Sequence, residues 1–342
     1  MLQSPQQVID RLAEFQRAVR DVVIQSRQRS QMFVVSRHSS ADTIYQIDTM
    51  IEPLLEDFCR EWSKTTPLVL IAEGVECEGF PEGMKVFPDG TAPEGAAIRL
   101  IVDPIDGTRG IMYDKRAAWA LAGVAPNKVD GTQLSDVEAA VMTELPTSKM
   151  GFGDVLWAIK GRGAIGRRVD LSSGDDAPLG LHPSTAINID HGFASVANFF
   201  PGTKVLASEL MEYLASKLVG DADVMRSAVF DDQYISTGGQ FYELIVGHDR
   251  FNADLRPVFY DIQNQPPGLC CHPYDCAAIL VAQEAGIILT NATGGALDGP
   301  LDVTSGLSWA GYANTILREK IEPLLLQFLQ NKRKNPTTGR NF

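Results

Sequence analysis

Apolar residues recur along this chain with two periods, and the switches between them outline its elements. Ser4, Pro5 and Gln7 make a helix start, with Ser and Gln at capping-box spacing. Val8, Ile9, Leu12, Phe15, Val19, Val22 and Val23 follow with helical period. A second helix is predicted over residues 42–62. Its apolar face is Ile44, Ile47, Ile51, Leu54, Leu55 and Phe58, with Pro53 as a kink or break. Asp48 and Glu52 are four apart and share one face of it. Apolar runs at 68–71 and 98–102 read as buried strands. Between them, 77–97 is rich in Gly, Pro and Glu and predicts a long loop, a lid or a surface excursion. Further strands are predicted at 118–125, 139–145 and 155–160, with Gly and Pro suited to antiparallel connections. The polar stretch 171–184 marks a boundary between two halves. Helical patterns then appear at 206–219, 234–246 and 275–286, the last with Asp275 at its start and Gly286 just past its end. The tail 332–342 is basic, polar and expected to fray. There is no internal repeat.

The strand at 98–102 runs into Asp103-Pro104-Ile105-Asp106-Gly107-Thr108. Two carboxylates therefore stand at its C-terminal edge. Pro104 favours leaving the sheet, Gly107 allows a tight turn, and Thr108 brings a hydroxyl where a helix can begin. Hard oxygen ligands beside a helix start suit a divalent cation and a phosphate together. An Asp-x-x-Asp pair alone is equally a solvated turn; the hexapeptide after a buried strand is far more specific.

On these residues the chain resembles the inositol monophosphatase family of Mg²⁺-dependent, lithium-sensitive phosphomonoesterases. The family hexapeptide is present without a mismatch. Ala72-Glu73-Gly74 after a strand resembles the family's upstream acidic element, and Asp48 with Glu52 its helical Asp and Glu. Tyr274-Asp275-Cys276-Ala277-Ala278 and Glu284-Ala285-Gly286-Ile287 resemble its C-terminal signature, with Tyr274 for the usual Trp and Ile287 for a Gly. Gly161-Arg162-Gly163-Ala164 matches a further turn. The likeness spans roughly residues 5–330.

The resemblance implies an α/β (α+β) fold, a layered αβαβα sandwich of the inositol monophosphatase and fructose-1,6-bisphosphatase type. An N-terminal α+β domain (1–175) would carry most metal ligands; a C-terminal α/β domain (176–331) would carry Asp275 and the substrate contacts. Two or three Mg²⁺ are implied, held by Glu73, Asp103, the Ile105 carbonyl, Asp106 and Asp275. Thr108, Asp48 and Glu73 are the implied catalytic residues, orienting a water, and the N–H groups of Gly107 and Thr108 the phosphate site. Ser236-Thr237-Gly238-Gly239 resembles the family's sugar-contacting element. Asp254 and Arg256 are further candidates, for a sugar hydroxyl and a second phosphate. Glu52, Glu76 and Glu78 read as supporting or loop charges. The expected activity is hydrolysis of a small phosphate monoester, an inositol monophosphate-like polyol or sugar phosphate. The alternatives are 3′-phosphoadenosine 5′-phosphate, fructose 1,6-bisphosphate, or a non-catalytic metal- and phosphate-binding role. A homodimer is the family's usual state.

Charge and cysteines narrow the partners. With 30 Lys and Arg against 43 Asp and Glu, the net charge of −13 disfavours a nucleic acid polymer. It also opposes phosphorylated substrates, so cations must reverse the local field. No apolar run reaches membrane-spanning length, and the first residues lack a signal-peptide core. Five cysteines without Cys-x-x-Cys spacing predict reduced thiols and a cytoplasmic setting. Cys270, Cys271, His272 and Cys276 crowd together, but without a defined zinc spacing.

Overall fold

The computed structural model describes residues 2, 4–26, 35–38, 43–220 and 228–335. In chain order its elements are α1 (Pro5–Ser26), β1 (Val35–His38), β2 (Thr43–Tyr45), α2 (Gln46–Ser63), β3 (Leu68–Ala72), β4 (Met84–Phe87), β5 (Ile98–Asp106), α3 (Thr108–Met112), β6 (Ala118–Pro126), β7 (Ala139–Leu145), β8 (Phe152–Ile159), β9 (Ala164–Asp170), β10 (Asp176–Leu179), β11 (Gly192–Val196), α4 (Lys204–Leu218), β12 (Val229–Phe230), α5 (Thr237–Ile245), β13 (Asp249–Asp254), α6 (Arg256–Ile262), α7 (Ile279–Glu284), β14 (Ile288–Asn291), β15 (Trp309–Tyr312) and α8 (Thr315–Lys334).

Eight strands form the first sheet, in the order β10-β9-β8-β7-β6-β5-β3-β4. Only β3 and β5 run parallel within it; every other neighbouring pair is antiparallel. Five strands form the second sheet, β12-β11-β13-β15-β14, with β11 parallel to β12 and β13. Helices α1 and α2 cover the outer face of the first sheet. Helix α5 touches β6 on one side and β13 and β15 on the other, and α7 bridges β7, β8 and β14, so both form the middle layer. Helices α4 and α8 pack together outside the second sheet. The result is the layered αβαβα sandwich. Two apolar cores match the layers: one between α1, α2 and the first sheet, the other through the middle layer.

The periodicities translate directly in most places. The α1 positions Val8, Ile9, Leu12, Phe15, Val19 and Val23 are all buried. Three readings are corrected. Residues 77–97 are not one loop, because β4 pairs with β3 as an edge strand. Helix α2 runs on through Pro53, and Ile44 lies in β2 ahead of it. The predicted helix 275–286 is split: Asp275 sits in the 3₁₀ turn Tyr274–Cys276, and α7 starts only at Ile279. Strand pairing changes from the first sheet to the second between Leu179 and Gly192, beside the polar stretch 171–184. The tail is helical as far as Lys334, and 336–342 lie outside the described residues. Among the described residues no helix is long and apolar enough to cross a membrane.

Candidate metal and phosphate site

Parallel strands point their carboxyl ends the same way, and loops leaving those ends tend to build sites. Glu73 follows β3, Asp103 and Asp106 end β5, and Phe199 and Phe200 follow β11. These residues line one small cleft, with a cavity volume of about 70 Å³. Ile105, Gly107, Thr108, Arg109, Ser236, Thr237, Arg256, Cys270, Tyr274 and Asp275 complete it.

An irregularity in β5 makes the carboxylates converge. Asp103 stands opposite Leu121 of β6 and Asp106 opposite Trp119, three residues on one strand against two on its partner. The extra residue falls at Pro104-Ile105, where Pro104 offers no N–H to the ladder. Side chains of a regular strand alternate, so residues three apart face opposite ways. The bulge cancels that alternation and turns both aspartates toward the middle layer. Asp275 arrives from the 3₁₀ turn behind them. Carboxylate oxygens of Asp103, Asp106 and Asp275 all lie within 4.8 Å of one another.

Asp106 is the most heavily held. Its carboxylate accepts from Ser236 Oγ at 2.7 Å, Gly238 N at 2.6 Å and Thr237 N at 3.2 Å. The donors form the start of α5, where N–H groups lack intrahelical partners and the helix dipole favours an anion. Ser236 also caps α5 by accepting from Gly239 N at 2.9 Å. Burial and the nearby Asp275 outweigh these bonds and push Asp106 up to about 7. Asp103 is raised well above the ordinary carboxylate range by burial first, then by Asp106, Asp275 and Glu73. Asp275 accepts from His272 N at 2.6 Å, and His272 Nδ1 stands 3.7 Å from the same oxygen. Burial alone would lower His272, but Asp275 and the Cys270 thiol outweigh it and hold the ring near 10. Carboxylates brought together, with the protonated form favoured, make a site whose charge a hard cation would neutralise.

Each anticipated residue has a definite place. Thr108 Oγ1 donates to the Ile105 carbonyl at 2.8 Å, with Asp48 Oδ1 at 3.4 Å. Asp48 thus reaches Thr108 from α2, although the Ile105 carbonyl is the nearer partner. Gly107 has φ 97, the left-handed region, and a Cβ there would stand 3.0 Å from the Ile235 carbonyl. Glu73 lines the cleft outside the tight aspartate trio. Thr237 lines it too, whereas the Gly238 N–H is committed to Asp106. Asp254 is fully buried, does not line the cleft and grips Arg256, whose Nε donates to both its oxygens at 2.9 and 3.0 Å. Arg256 lines the cleft while also donating to the Leu269 carbonyl.

Several cleft residues carried no sequence signal. Phe199 and Phe200 form an edge-to-face pair 5.1 Å apart. Arg256 lies over both rings and Arg109 over Phe200, at 5.2 Å. Nothing in a Phe-Phe pair after a short strand announces this contact. Ser236, read in the sequence as part of a sugar-contacting element, bonds Asp106 and caps α5. Cys271 and Cys276 stand 3.6 Å apart, sulfur to sulfur, and Cys270 beside His272; all five cysteines are free. Among the described residues these thiols join no three-ligand group.

A layered αβαβα sandwich thus brings two strand-end aspartates together with one from a 3₁₀ turn. No family model matches the chain. It is 25% identical over 257 residues, 75% of this chain and 74% of the relative, to a fructose-1,6-bisphosphatase/inositol-1-monophosphatase of Methanothermobacter thermautotrophicus. Among solved structures, Leishmania major fructose-1,6-bisphosphatase superposes with a TM-score of 0.68 at 13% identity, covering 96% of each chain. An IMPase of Thermotoga maritima superposes with a TM-score of 0.62 at 16% identity, over 95% of this chain and 99% of the other. The chain is similar in sequence to this Methanothermobacter relative and shares the fold of the inositol monophosphatase and fructose-1,6-bisphosphatase structures.

Proposed function

We propose that the protein is a Mg²⁺-dependent phosphomonoesterase acting on a small phosphorylated polyol or sugar. The observation that carries the reading is the gathering of Asp103, Asp106 and Asp275 within 4.8 Å, in a cleft also lined by Glu73, Gly107 and Thr108. The close trio offers only carboxylate oxygen, a hard donor set that suits Mg²⁺. In this reading Glu73, Asp103, Asp106, Asp275 and the Ile105 carbonyl would hold the Mg²⁺ ions. Mg²⁺, when bound, neutralises the substrate phosphate, acidifies water and steadies the departing alkoxide.

The chain's own groups do the positioning. The Thr108 hydroxyl, held between Ile105 and Asp48, orients the attacking water with help from Glu73. The N–H groups of Gly107 and Thr108 receive phosphate oxygens at a backbone bend only Gly107 adopts without strain. Ser236, Thr237 and Gly238 keep Asp106 aimed inward. Nothing in this route requires a covalent phosphoenzyme. Two cations at the cleft wall, Arg109 and Arg256, favour a second reading, a substrate with another anionic group such as fructose 1,6-bisphosphate or 3′-phosphoadenosine 5′-phosphate.

The test is phosphate release from a panel of inositol monophosphate, fructose 1,6-bisphosphate and 3′-phosphoadenosine 5′-phosphate, with Mg²⁺ and with EDTA. Release that requires Mg²⁺ is expected, with inhibition by lithium. Mg²⁺-dependent phosphate binding without turnover of any panel member would instead support the non-catalytic role.

A further inference from the structure

The opposite face of the first sheet holds an arrangement the cleft does not use. Arg20 of α1 is only 6% exposed, and its Nε and Nη1 meet no hydrogen-bond partner among the described residues. A buried guanidinium with open N–H groups is costly to leave unsatisfied. Its head lies over Gly153 of β8, where a Cβ would stand 3.6 Å from Nη1. Beside it is a cavity of about 250 Å³, lined by Arg17, Arg20, Thr143, Val155, Val169 and Asp176, among others.

Strand register shows which charges share this face. Gly153 pairs with Val169, Val155 with Arg167, and Asp176 with Val169, so Arg167 and Asp176 project here too. The Asp176 carboxylate stands 3.1 Å from Arg167 Nη1 and is neutralised by it. Glu144 influences Arg20 through space, but it follows Thr143 in β7 and so leaves from the other face. There it lines a separate cavity with Asp154 and Tyr242. Asp21, next to Arg20 in α1, is exposed and points about 100° around the helix. Three guanidinium groups, Arg17, Arg20 and Arg167, thus share this face with one carboxylate that is already paired, while Asp21 and Glu144 act on Arg20 through space from outside the cavity.

We propose that this cavity is an oxyanion site for a small phosphorylated molecule, separate from the metal cleft, with Arg20 as buried anchor and exposed Arg17 at its rim. Phosphate oxygens satisfy the open N–H groups of Arg20, and guanidinium forks match them in geometry. The remaining cavity accommodates a short carbon skeleton against Val155 and Val169.

The experiment measures inorganic phosphate binding to the full chain in EDTA, at constant ionic strength set with chloride. Without divalent cations the aspartates oppose phosphate in the cleft, and binding that is lost in Arg20→Met is assigned to the arginine cavity. Thermal shift and phosphorus NMR line broadening should both detect it in the unsubstituted chain. Arg20→Met should abolish it while melting no lower than the unsubstituted chain without phosphate, because the buried unpaired charge is gone. Arg17→Gln, at an exposed position that folding tolerates, should weaken it about tenfold. Equal phosphate binding by the unsubstituted chain and Arg17→Gln, or no binding by the unsubstituted chain at millimolar phosphate, overturns the proposal. Neither outcome depends on phosphatase activity, so the two readings fail separately.

Discussion

At the scale of single residues, the cleft is a problem of like charges held together. Asp103 is raised by burial and by three neighbouring carboxylates. Replacing it with Asn removes the central negative charge and relieves that repulsion. Asp103→Asn should therefore melt no lower than the parent in EDTA, lose most Mg²⁺ stabilisation, and lose phosphatase turnover by at least about a hundredfold. Near-normal turnover by the folded, Mg²⁺-saturated variant would sink the proposed mechanism. Glu144 gives a pH prediction away from the cleft. Burial pushes it up to about 7 from an ordinary value of 4.5, with the Asp154 N–H bond only partly offsetting. Between those values the native state keeps a proton that the unfolded chain has released, so stability falls as pH rises. Glu144→Gln should flatten the slope of unfolding free energy between about pH 5 and 7 in EDTA, an effect of at most about 3 kcal/mol. An unchanged slope would show that Glu144 is not the buried proton holder. Asp103, Asp106 and Glu73 were legible as residue types in a motif. That Asp254 is consumed by Arg256 was not, because an ion pair two residues apart depends on where the strand ends.

Elements set the cleft's shape through close approaches. Gly123 of β6 faces the middle layer, and a Cβ there would stand 2.3 Å from the Ala277 carbonyl. That carbonyl belongs to the turn just after Asp275, so the backbone contact sets how near the turn comes to β5. Gly123→Ala should cost about 1–3 kcal/mol by overpacking. It should also raise the Mg²⁺ concentration needed for half-maximal activity, without altering any ligand. A destabilised variant with unchanged Mg²⁺ dependence would mean the turn yields without moving Asp275. The two glycine-bearing signatures also meet: Glu284 accepts from Gly161 N and Gly163 N, both at 2.7 Å. Sequence order displayed these motifs but not their contact, which spans over a hundred residues. The helical pattern from Asp275 misled for a related reason. The His272 N–H takes the aspartate oxygen from outside the element, and a 3₁₀ turn replaces the first helical turn.

For the whole molecule, the net charge of −13 and the aspartate cluster act in the same direction. Both oppose phosphate and favour divalent cations. Mg²⁺ that binds only the folded chain should raise its stability by mass action, by about 2.7 kcal/mol at a hundred times the dissociation constant. A melting temperature independent of Mg²⁺ from micromolar to tens of millimolar would argue against a metal-holding cleft. Calcium and chloride controls separate specific binding from screening.

The sequence by itself determined the elements and their chemistry. Periods of 3.6 and 2 are written locally, and a hexapeptide of Asp, Pro, Ile, Gly and Thr carries two carboxylates and a turn in adjacent positions. Most strands of the first sheet, the buried face of α1 and the acidic ligand types followed from those signals. Only the tertiary structure decided which carboxylates face one another and which are spent elsewhere. The bulge at Pro104-Ile105 turns Asp103 and Asp106 to one side, the start of α5 reaches Asp106 from 130 residues away, and Arg20 is left over a glycine with Nε and Nη1 unpartnered among the described residues. These outcomes depend on register and close packing between distant segments, and local propensity does not encode them.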